Sequence, residues 1–176
     1  MHKWKKITLA LLLFSILTFR TASAQDIELG GGVGMGERDA VIGEIYIGYE
    51  FSPFASWGDW SLQPLVRLSG MVWSNENDSL GAAFLSAGLT LNIPGGDLWR
   101  PYLLATVGGG VLSEDDFDGK RLGGPFQFRN SLALGLKFGE ELRHKVELAG
   151  SHYSNAGIYD QNQGYDAMEL TYGYLF

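Results

Sequence analysis

The feature that most constrains the fold is an alternation of apolar and polar residues with a period of two, which starts after residue 25 and continues to the end of the chain. Successive side chains of a β-strand point to opposite faces, so this period is typical of strands. In the stretch 41–51, the apolar face contains Val41, Ile45, Ile47, Tyr49 and Phe51. The other face contains Glu44, Tyr46 and Glu50. The pattern predicts an all-β protein.

The alternation falls into eight segments separated by turn-forming residues. The predicted strands are 26–36, 41–51, 59–73, 80–93, 100–112, 126–139, 143–154 and 164–176. No linker and no helical repeat interrupts the series. Residues 25–176 are therefore predicted to form a single β-domain.

The N-terminal segment has the composition of an export signal. Lysines at positions 3, 5 and 6 precede an apolar run over 7–19, and the letters TASAQ then offer a small-residue cleavage site after Ala24. The apolar run is shorter than the roughly 20 residues that a transmembrane helix needs. Residues 1–24 are predicted to be a cleaved secretory signal peptide.

Charge and cysteine content exclude several classes of function. Loss of residues 1–24 removes four basic residues and changes the formal charge from -7 to -11. Such an acidic chain is not expected to bind nucleic acid, because phosphates require clustered lysine and arginine. Cysteine is absent, which excludes disulfides and thiolate metal sites.

Two architectures suit eight alternating strands, and the position of the charged residues distinguishes them. A soluble lipocalin-like barrel keeps apolar residues inside, whereas an outer-membrane barrel turns them outward and has a polar interior. In this chain the polar face carries Glu44, Glu50, Arg67, Arg129, Lys137, Lys145, Glu147 and Glu169, which would pair with one another in a narrow lumen.

Aromatic residues support the membrane barrel. Aromatic side chains near the strand ends, which suit girdles at the two interfaces, are Trp60, Trp73, Tyr102, Phe138 and Tyr174. The last seven residues, LTYGYLF, resemble the C-terminal signature of bacterial outer-membrane barrels. We therefore predict an eight-stranded antiparallel transmembrane β-barrel of the bacterial outer membrane.

The connections predict how this barrel is oriented. An even number of strands puts both termini on the periplasmic side and the longer connections outside. The longest connection, 113–125, is then extracellular, while 94–97 and 139–141 are periplasmic turns. The connection 53–58 is longer than periplasmic turns usually are. For the acidic run 114–116 a solvated loop is favoured over a cation site.

Polar residues of catalytic types meet near the end of strand seven, in the letters HYSNAG. His152 and Ser154 have the same parity as Val146 and Leu148, so they are predicted to face outward at the extracellular end. Asp166 faces the same way at the start of strand eight. These types suit a catalytic triad, with Ser154 as nucleophile, His152 as base and Asp166 orienting the imidazole. An interfacial polar cluster without chemistry is the alternative that these residues leave open.

The stretch HYSNAGIYDQNQGYD resembles the motif of the outer-membrane lipid A 3-O-deacylases, the PagL family. The resemblance implies a serine hydrolase on an eight-stranded barrel, with its site near the outer leaflet. It places Asn155 beside the serine and makes Asn162 and the amide of Gly157 oxyanion donors. Asp166 occupies the acid position, where relatives carry glutamate. This shorter side chain is a departure from the family pattern.

The expected substrate follows from the position of the serine and from the resemblance to the family. An outward-facing serine at the extracellular interface meets lipopolysaccharide, whose lipid A carries ester-linked acyl chains, and the family implies cleavage at position 3. The expected partners are lipopolysaccharide and outer-membrane lipid; a homodimer is left open. No cofactor and no metal is expected, since one histidine and no cysteine lie at the site. The main alternative is a non-enzymatic structural or adhesive barrel of the OmpA/OmpX type.

Overall fold

The computed structural model describes residues 27–176, which form an antiparallel β-barrel. The predicted signal peptide, residues 1–24, lies outside the described residues. The barrel strands are β1 (Ile27–Gly36), β2 (Val41–Glu50), β3 (Trp60–Ser74), β4 (Ser79–Asn92), β5 (Trp99–Leu112), β6 (Phe126–Phe138), β7 (His144–Ser154) and β8 (Tyr165–Leu175). Each predicted boundary lies within one residue of the observed one.

The sheet closes on itself. Every strand pairs with the next along the chain, and β1 also pairs with β8 from Glu28 opposite Leu175 to Gly36 opposite Ala167. Closure gives each long strand two hydrogen-bonded neighbours and leaves no open edge. The predicted eight-stranded barrel is confirmed.

Three connections contain short ordered elements. Ala55–Trp57 pairs with the start of β3, which accounts for the unexpected length of the periplasmic connection 53–58. The long connection 113–125 contains a small hairpin of Asp116–Phe117 and Lys120–Arg121. A 3-10 turn at Glu140–Leu142 joins β6 to β7. No helix within residues 27–176 combines the length and apolar character needed to cross a membrane.

The outer surface of the barrel is apolar, as the alternation predicts. Large apolar side chains exposed on this surface include Val33, Met35, Val41, Ile45, Leu68, Leu85, Val107, Leu132, Leu134, Leu148, Met168 and Leu170. So continuous an apolar band is stable against lipid and not against water. Exposed aromatic side chains at the periplasmic end are Phe54, Trp57, Trp60, Trp99, Tyr172 and Phe176.

Two of the aromatic residues assigned to the girdles do not belong there. Trp73 is 0% exposed and Tyr102 is 1% exposed, because both have the parity of the lumenal side chains on their strands. Tyr102 donates a hydrogen bond to Glu147 at 2.8 Å inside the barrel. Their assignment to a membrane interface was wrong: position along a strand does not override the direction in which a side chain points.

The periplasmic half of the lumen contains a network of paired charges. Arg67 binds Glu28 and Glu147, while Lys145 lies 2.8 Å from Glu28 and 2.7 Å from Glu50. Nearer the extracellular end, Arg129 pairs with Glu44 and Glu169. These contacts confirm that the polar face pairs with itself.

The extracellular half of the lumen is filled with apolar and aromatic side chains, which alternation alone does not predict. Trp73 stacks on Tyr165 with 4.4 Å between ring centroids, and the Tyr153 ring packs edge-on against Trp73 at 4.8 Å. Phe117 and Leu122, from the 113–125 connection, are fully buried in this cluster. This long connection is therefore folded back onto the barrel, next to the ends of β7 and β8.

Candidate active site

Strands β7 and β8 bring His152 and Asp166 together on the outer surface. The two residues are direct partners in the sheet register. His152 Nδ1 lies 2.6 Å from Asp166 Oδ1, a hydrogen-bond distance, and the side chains are 51% and 69% exposed. The aspartate therefore reaches the imidazole, although it is shorter than the glutamate that the resemblance to the family implies at this position.

This hydrogen bond selects one form of the imidazole. An ionised carboxylate can only accept a hydrogen bond, so Nδ1 must carry the hydrogen that Asp166 accepts. The Nε2 atom of a neutral His152 is then left with a lone pair that can take a proton. This is the tautomer that a general base needs.

Ser154 lies two residues beyond His152 on the same strand and the same face. It is half-buried and stands opposite Phe128 of β6. Two residues along a strand cover roughly 7 Å, which side chains leaning toward one another can bridge in part. Within residues 27–176 the Ser154 hydroxyl makes no hydrogen bond, so it is available to a substrate. In substrate-free sites the bond between nucleophile and base is often long and tightens on binding.

Asn155 organises the loop that follows β7. Its side chain is completely buried. The Nδ2 group donates to the carbonyls of Leu122, at 2.8 Å, and Gln161, at 2.6 Å. These bonds tie the loop 155–164 to the 113–125 connection and fix where β7 ends.

The two predicted oxyanion donors differ in availability. The N–H of Gly157 donates to Asn155 Oδ1 at 2.9 Å, so this amide already has an acceptor and would need the turn to change before it could serve an oxyanion. Asn162 is exposed, and its Oδ1 accepts the N–H of Asn155 at 3.0 Å. Its Nδ2 group has no hydrogen-bond partner in the described part of the chain and remains free to donate.

Gly164 is a residue beside the base whose role the sequence did not reveal. It has a φ of +66°, in the left-handed region that favours glycine, and a Cβ there would lie 3.0 Å from Cε1 of His152. Gly164 therefore lets the chain turn into β8 close to the imidazole. It does not cause a bulge: β7 and β8 pair without interruption from Tyr153 opposite Tyr165 to His144 opposite Tyr174.

The start of β8 is supported by the turn between β1 and β2. The N–H of Asp166 donates to Glu37 Oε2 at 3.3 Å, and the N–H of Glu37 donates to the Asp166 carbonyl at 3.2 Å. Glu37 in turn forms an ion pair with Lys120 of the 113–125 connection. The β1–β2 turn thus holds the backbone of Asp166 directly, and the 113–125 connection supports it through Lys120 and Glu37.

Two depressions lie near these residues. One, of about 480 Å3, is on the outer surface and is bordered by Asn130, Leu132, Gly150, His152 and Asp166. The other, of about 650 Å3, lies between the connection 113–125 and the loop 155–164. Among residues 27–176, no group of three or more His, Cys, Asp or Glu side chains is arranged to hold a metal ion.

The fold and this site define a class: small outer-membrane β-barrels that carry a histidine–aspartate pair beside a serine on their lipid-facing surface. The family model for lipid A 3-O-deacylase (PagL) matches residues 43–175. The chain belongs to this family.

Two relatives and one solved structure are similar to this chain. The chain is 34% identical to the lipid A deacylase PagL of Bordetella bronchiseptica, over 69% of this chain and 66% of that one, so the match spans just under two thirds of this relative. It is 25% identical to the lipid A deacylase PagL of Pseudomonas aeruginosa, over 96% of this chain and 97% of that one. A crystal structure of the outer membrane enzyme PagL has the same fold, with a TM-score of 0.77, 19% identity and coverage of 85% and 99%.

Proposed function

We propose that this protein is a serine esterase that removes the acyl chain esterified at position 3 of lipid A. The observation that carries the proposal is the 2.6 Å contact between His152 and Asp166 on the lipid-facing surface, two residues from Ser154, in a member of the PagL family. An acid–base pair beside a free hydroxyl supports nucleophilic catalysis.

Acylation of the enzyme is the first half of the reaction. Ser154 Oγ attacks the ester carbonyl carbon while its proton passes to Nε2 of His152, and Asp166 stabilises the imidazolium that results. The bond between the carbonyl carbon and the sugar oxygen then breaks. The proton on Nε2 goes to that oxygen, and the acyl chain remains attached to Ser154.

Water completes the cycle. It attacks the acyl-enzyme carbonyl and gives a proton to His152, which returns the proton to Ser154 Oγ as the serine leaves. The products are a free fatty acid and lipid A with a hydroxyl at the cleaved position. Both half-reactions use side chains of this chain alone. The Nδ2 group of Asn162 is the donor best able to stabilise the oxyanion of each tetrahedral intermediate.

The position of the site on the barrel suits a lipid substrate. Ester carbonyls of outer-leaflet lipids lie near the interface, which is the depth at which polar side chains on a barrel's outer face are least costly. The acyl chains can lie on the apolar surface formed by residues such as Leu132 and Leu148. The homodimer left open by the sequence stays a prediction.

Product analysis tests the proposed activity. Purified, folded protein incubated with lipopolysaccharide in detergent should yield lipid A that lacks one ester-linked chain, together with one equivalent of free fatty acid, detected by mass spectrometry. Fragmentation of the product should locate the free hydroxyl at position 3. Intact lipid A after incubation with folded protein would instead favour the non-enzymatic barrel of the OmpA/OmpX type.

Replacement of Asn162 tests the oxyanion donor. Loss of one such donor typically lowers kcat by about 10²–10³. Asn162→Ala should therefore be strongly impaired in fatty-acid release and still exceed Ser154→Ala. Turnover equal to that of the native protein would remove Asn162 from the site. Gln161→Ala, altered one residue away in the same loop, is the matched control for loss of loop structure, because only the backbone carbonyl of Gln161 bonds to Asn155.

Chelation tests the expected absence of a metal. Treatment with a chelator, followed by removal of bound ions, should leave turnover of a detergent-soluble ester substrate within about twofold of the untreated protein, since a catalytic zinc site requires three protein ligands. Activity that is abolished by chelation and restored by one particular divalent ion would contradict the mechanism. A soluble ester is preferred because divalent ions also bridge lipopolysaccharide phosphates.

A further inference from the structure

One polar side chain interrupts the apolar outer face of β6. The outward-facing residues of this strand are Phe126, Phe128, Asn130, Leu132, Leu134, Leu136 and Phe138. Asn130 is exposed, and no hydrogen bond to its side chain occurs within the described residues 27–176. Two phenylalanines lie above it and four apolar residues below it. Asn130 therefore interrupts the apolar face near its extracellular border, with most of the apolar band below it.

The neighbours of Asn130 connect it to the site. In the sheet register it is the direct partner of His152, whose other partner is Asp166. Asn130, His152 and Asp166 thus form one row of polar side chains across three adjacent strands. Directly opposed side chains in antiparallel strands have Cβ atoms about 4.5–5.5 Å apart, within reach of one bound group.

Such a position needs a compensating interaction. When acyl chains of the substrate lie over this part of the surface and displace water, a carboxamide without a hydrogen-bond partner is unfavourable. Asn130 has none from the described chain, and its partner on the other side, Val107, is apolar. A polar group of the bound substrate would satisfy it.

The depth of Asn130 relative to Ser154 indicates which part of the substrate carries this polar group. Ser154 stands opposite Phe128, two residues closer to the extracellular end than Asn130. Two residues cover about 7 Å along a strand, which is roughly 5 Å of depth at a tilt of about 40°. The acyl chains of outer-leaflet lipids run in this same direction, away from the head group. The depression lined by Asn130, Leu132 and Gly150 extends from His152 in that direction.

We propose that Asn130 binds a hydroxyl group on one of the first carbons of the acyl chain that is released, and so makes the enzyme selective for hydroxyacyl esters. This inference rests on the proposed function. A carboxamide can both donate to and accept from a hydroxyl, and it is uncharged, which suits a neutral ligand in a low-dielectric setting. An unsubstituted chain would leave the Asn130 carboxamide unpaired, and sites built to bind a hydroxyl discriminate against analogues that lack it.

Two synthetic glucosamine esters of equal chain length test the proposal, one with a 3-hydroxyacyl group and one with an unsubstituted acyl group. The native protein should show a kcat/KM at least about tenfold higher for the hydroxyacyl ester, as expected when a polar group would otherwise stay unpaired. In Asn130→Leu, which keeps the size and suits the lipid face, this ratio should fall toward one. Asn130→Gln should restore part of it.

Controls separate selectivity from other effects. Leu134→Ala, on the same face of β6 and farther from His152, should keep the native ratio. A native ratio near one, or equal losses for both esters in Asn130→Leu, would overturn the proposal while leaving the esterase intact. Failure of the proposed function gives a different result from failure of the selectivity. In that case the native protein hydrolyses neither ester, and the role of Asn130 is excluded as well.

Discussion

Replacement of Ser154 by alanine should reduce fatty-acid release by about 10⁴-fold or more, and His152→Asn should do the same, because members of a catalytic triad act as a unit. The double variant should be little worse than either single variant. Initial rates on a soluble ester, measured with purified protein, are the appropriate readout.

Ser151→Ala provides a matched control for these variants. Ser151 is adjacent to His152 on the same strand, but its hydroxyl faces the lumen and donates to Glu169 at 2.6 Å. The same chemical change on the opposite face should leave turnover close to native. Near-native hydrolysis by folded Ser154→Ala or His152→Asn would exclude the proposed triad.

The alternation of apolar and polar residues was sufficient to predict the strands and the direction of nearly every side chain. The physical reason is that lipid outside and paired charges inside give opposite requirements for adjacent residues, so a shift by one residue would be very costly. The same regularity predicted that Glu169 enters the lumen, where it pairs with Arg129 at 2.8 Å.

What fills the extracellular half of the lumen could not be predicted in this way. Phe117 and Leu122 lie in the 113–125 connection, where the paired segments are too short to show a periodic pattern that would indicate where the side chains point. Their burial depends on long-range packing against Trp73 and Tyr165. Hydrogen bonds within the loops could not be predicted either. The acceptor of the Gly157 amide depends on a turn conformation that sequence spacing does not specify.

Asn130 differs from these residues, because the sequence contains the feature that marks it. A single polar residue interrupts the outward-facing row of β6, and the pairing of β6 with β7 places that interruption beside His152. Finding it required the register between two strands as well as the pattern within one. Outward-facing polar residues become informative when their positions are compared across neighbouring strands.

The identity of the acid gives the second large effect. Asp166→Asn should lose most of its turnover, by about 10³–10⁴-fold, because an amide can hold the imidazole in the wrong tautomer and cannot stabilise its charge. Its thermal stability should change little, since the side chain is exposed on the outer surface. Asp166→Glu should retain substantial activity, because a glutamate carboxylate can still accept the Nδ1 hydrogen of His152.

Glu169→Gln should show the converse behaviour. Its carboxylate accepts hydrogen bonds from Arg129, Ser151 and Tyr153 within the lumen, at 2.8, 2.6 and 2.8 Å. Removing this charge leaves Arg129 with Glu44 as its only charged partner among the described residues, which should lower the melting temperature because a buried ion pair is broken from one side. Turnover at temperatures well below unfolding should stay near native, since Glu169 faces away from His152. An inactive Glu169→Gln together with an active Asp166→Asn would show that the catalytic acid acts from inside the barrel, and that the outward pairing of His152 with Asp166 is not the one used in catalysis.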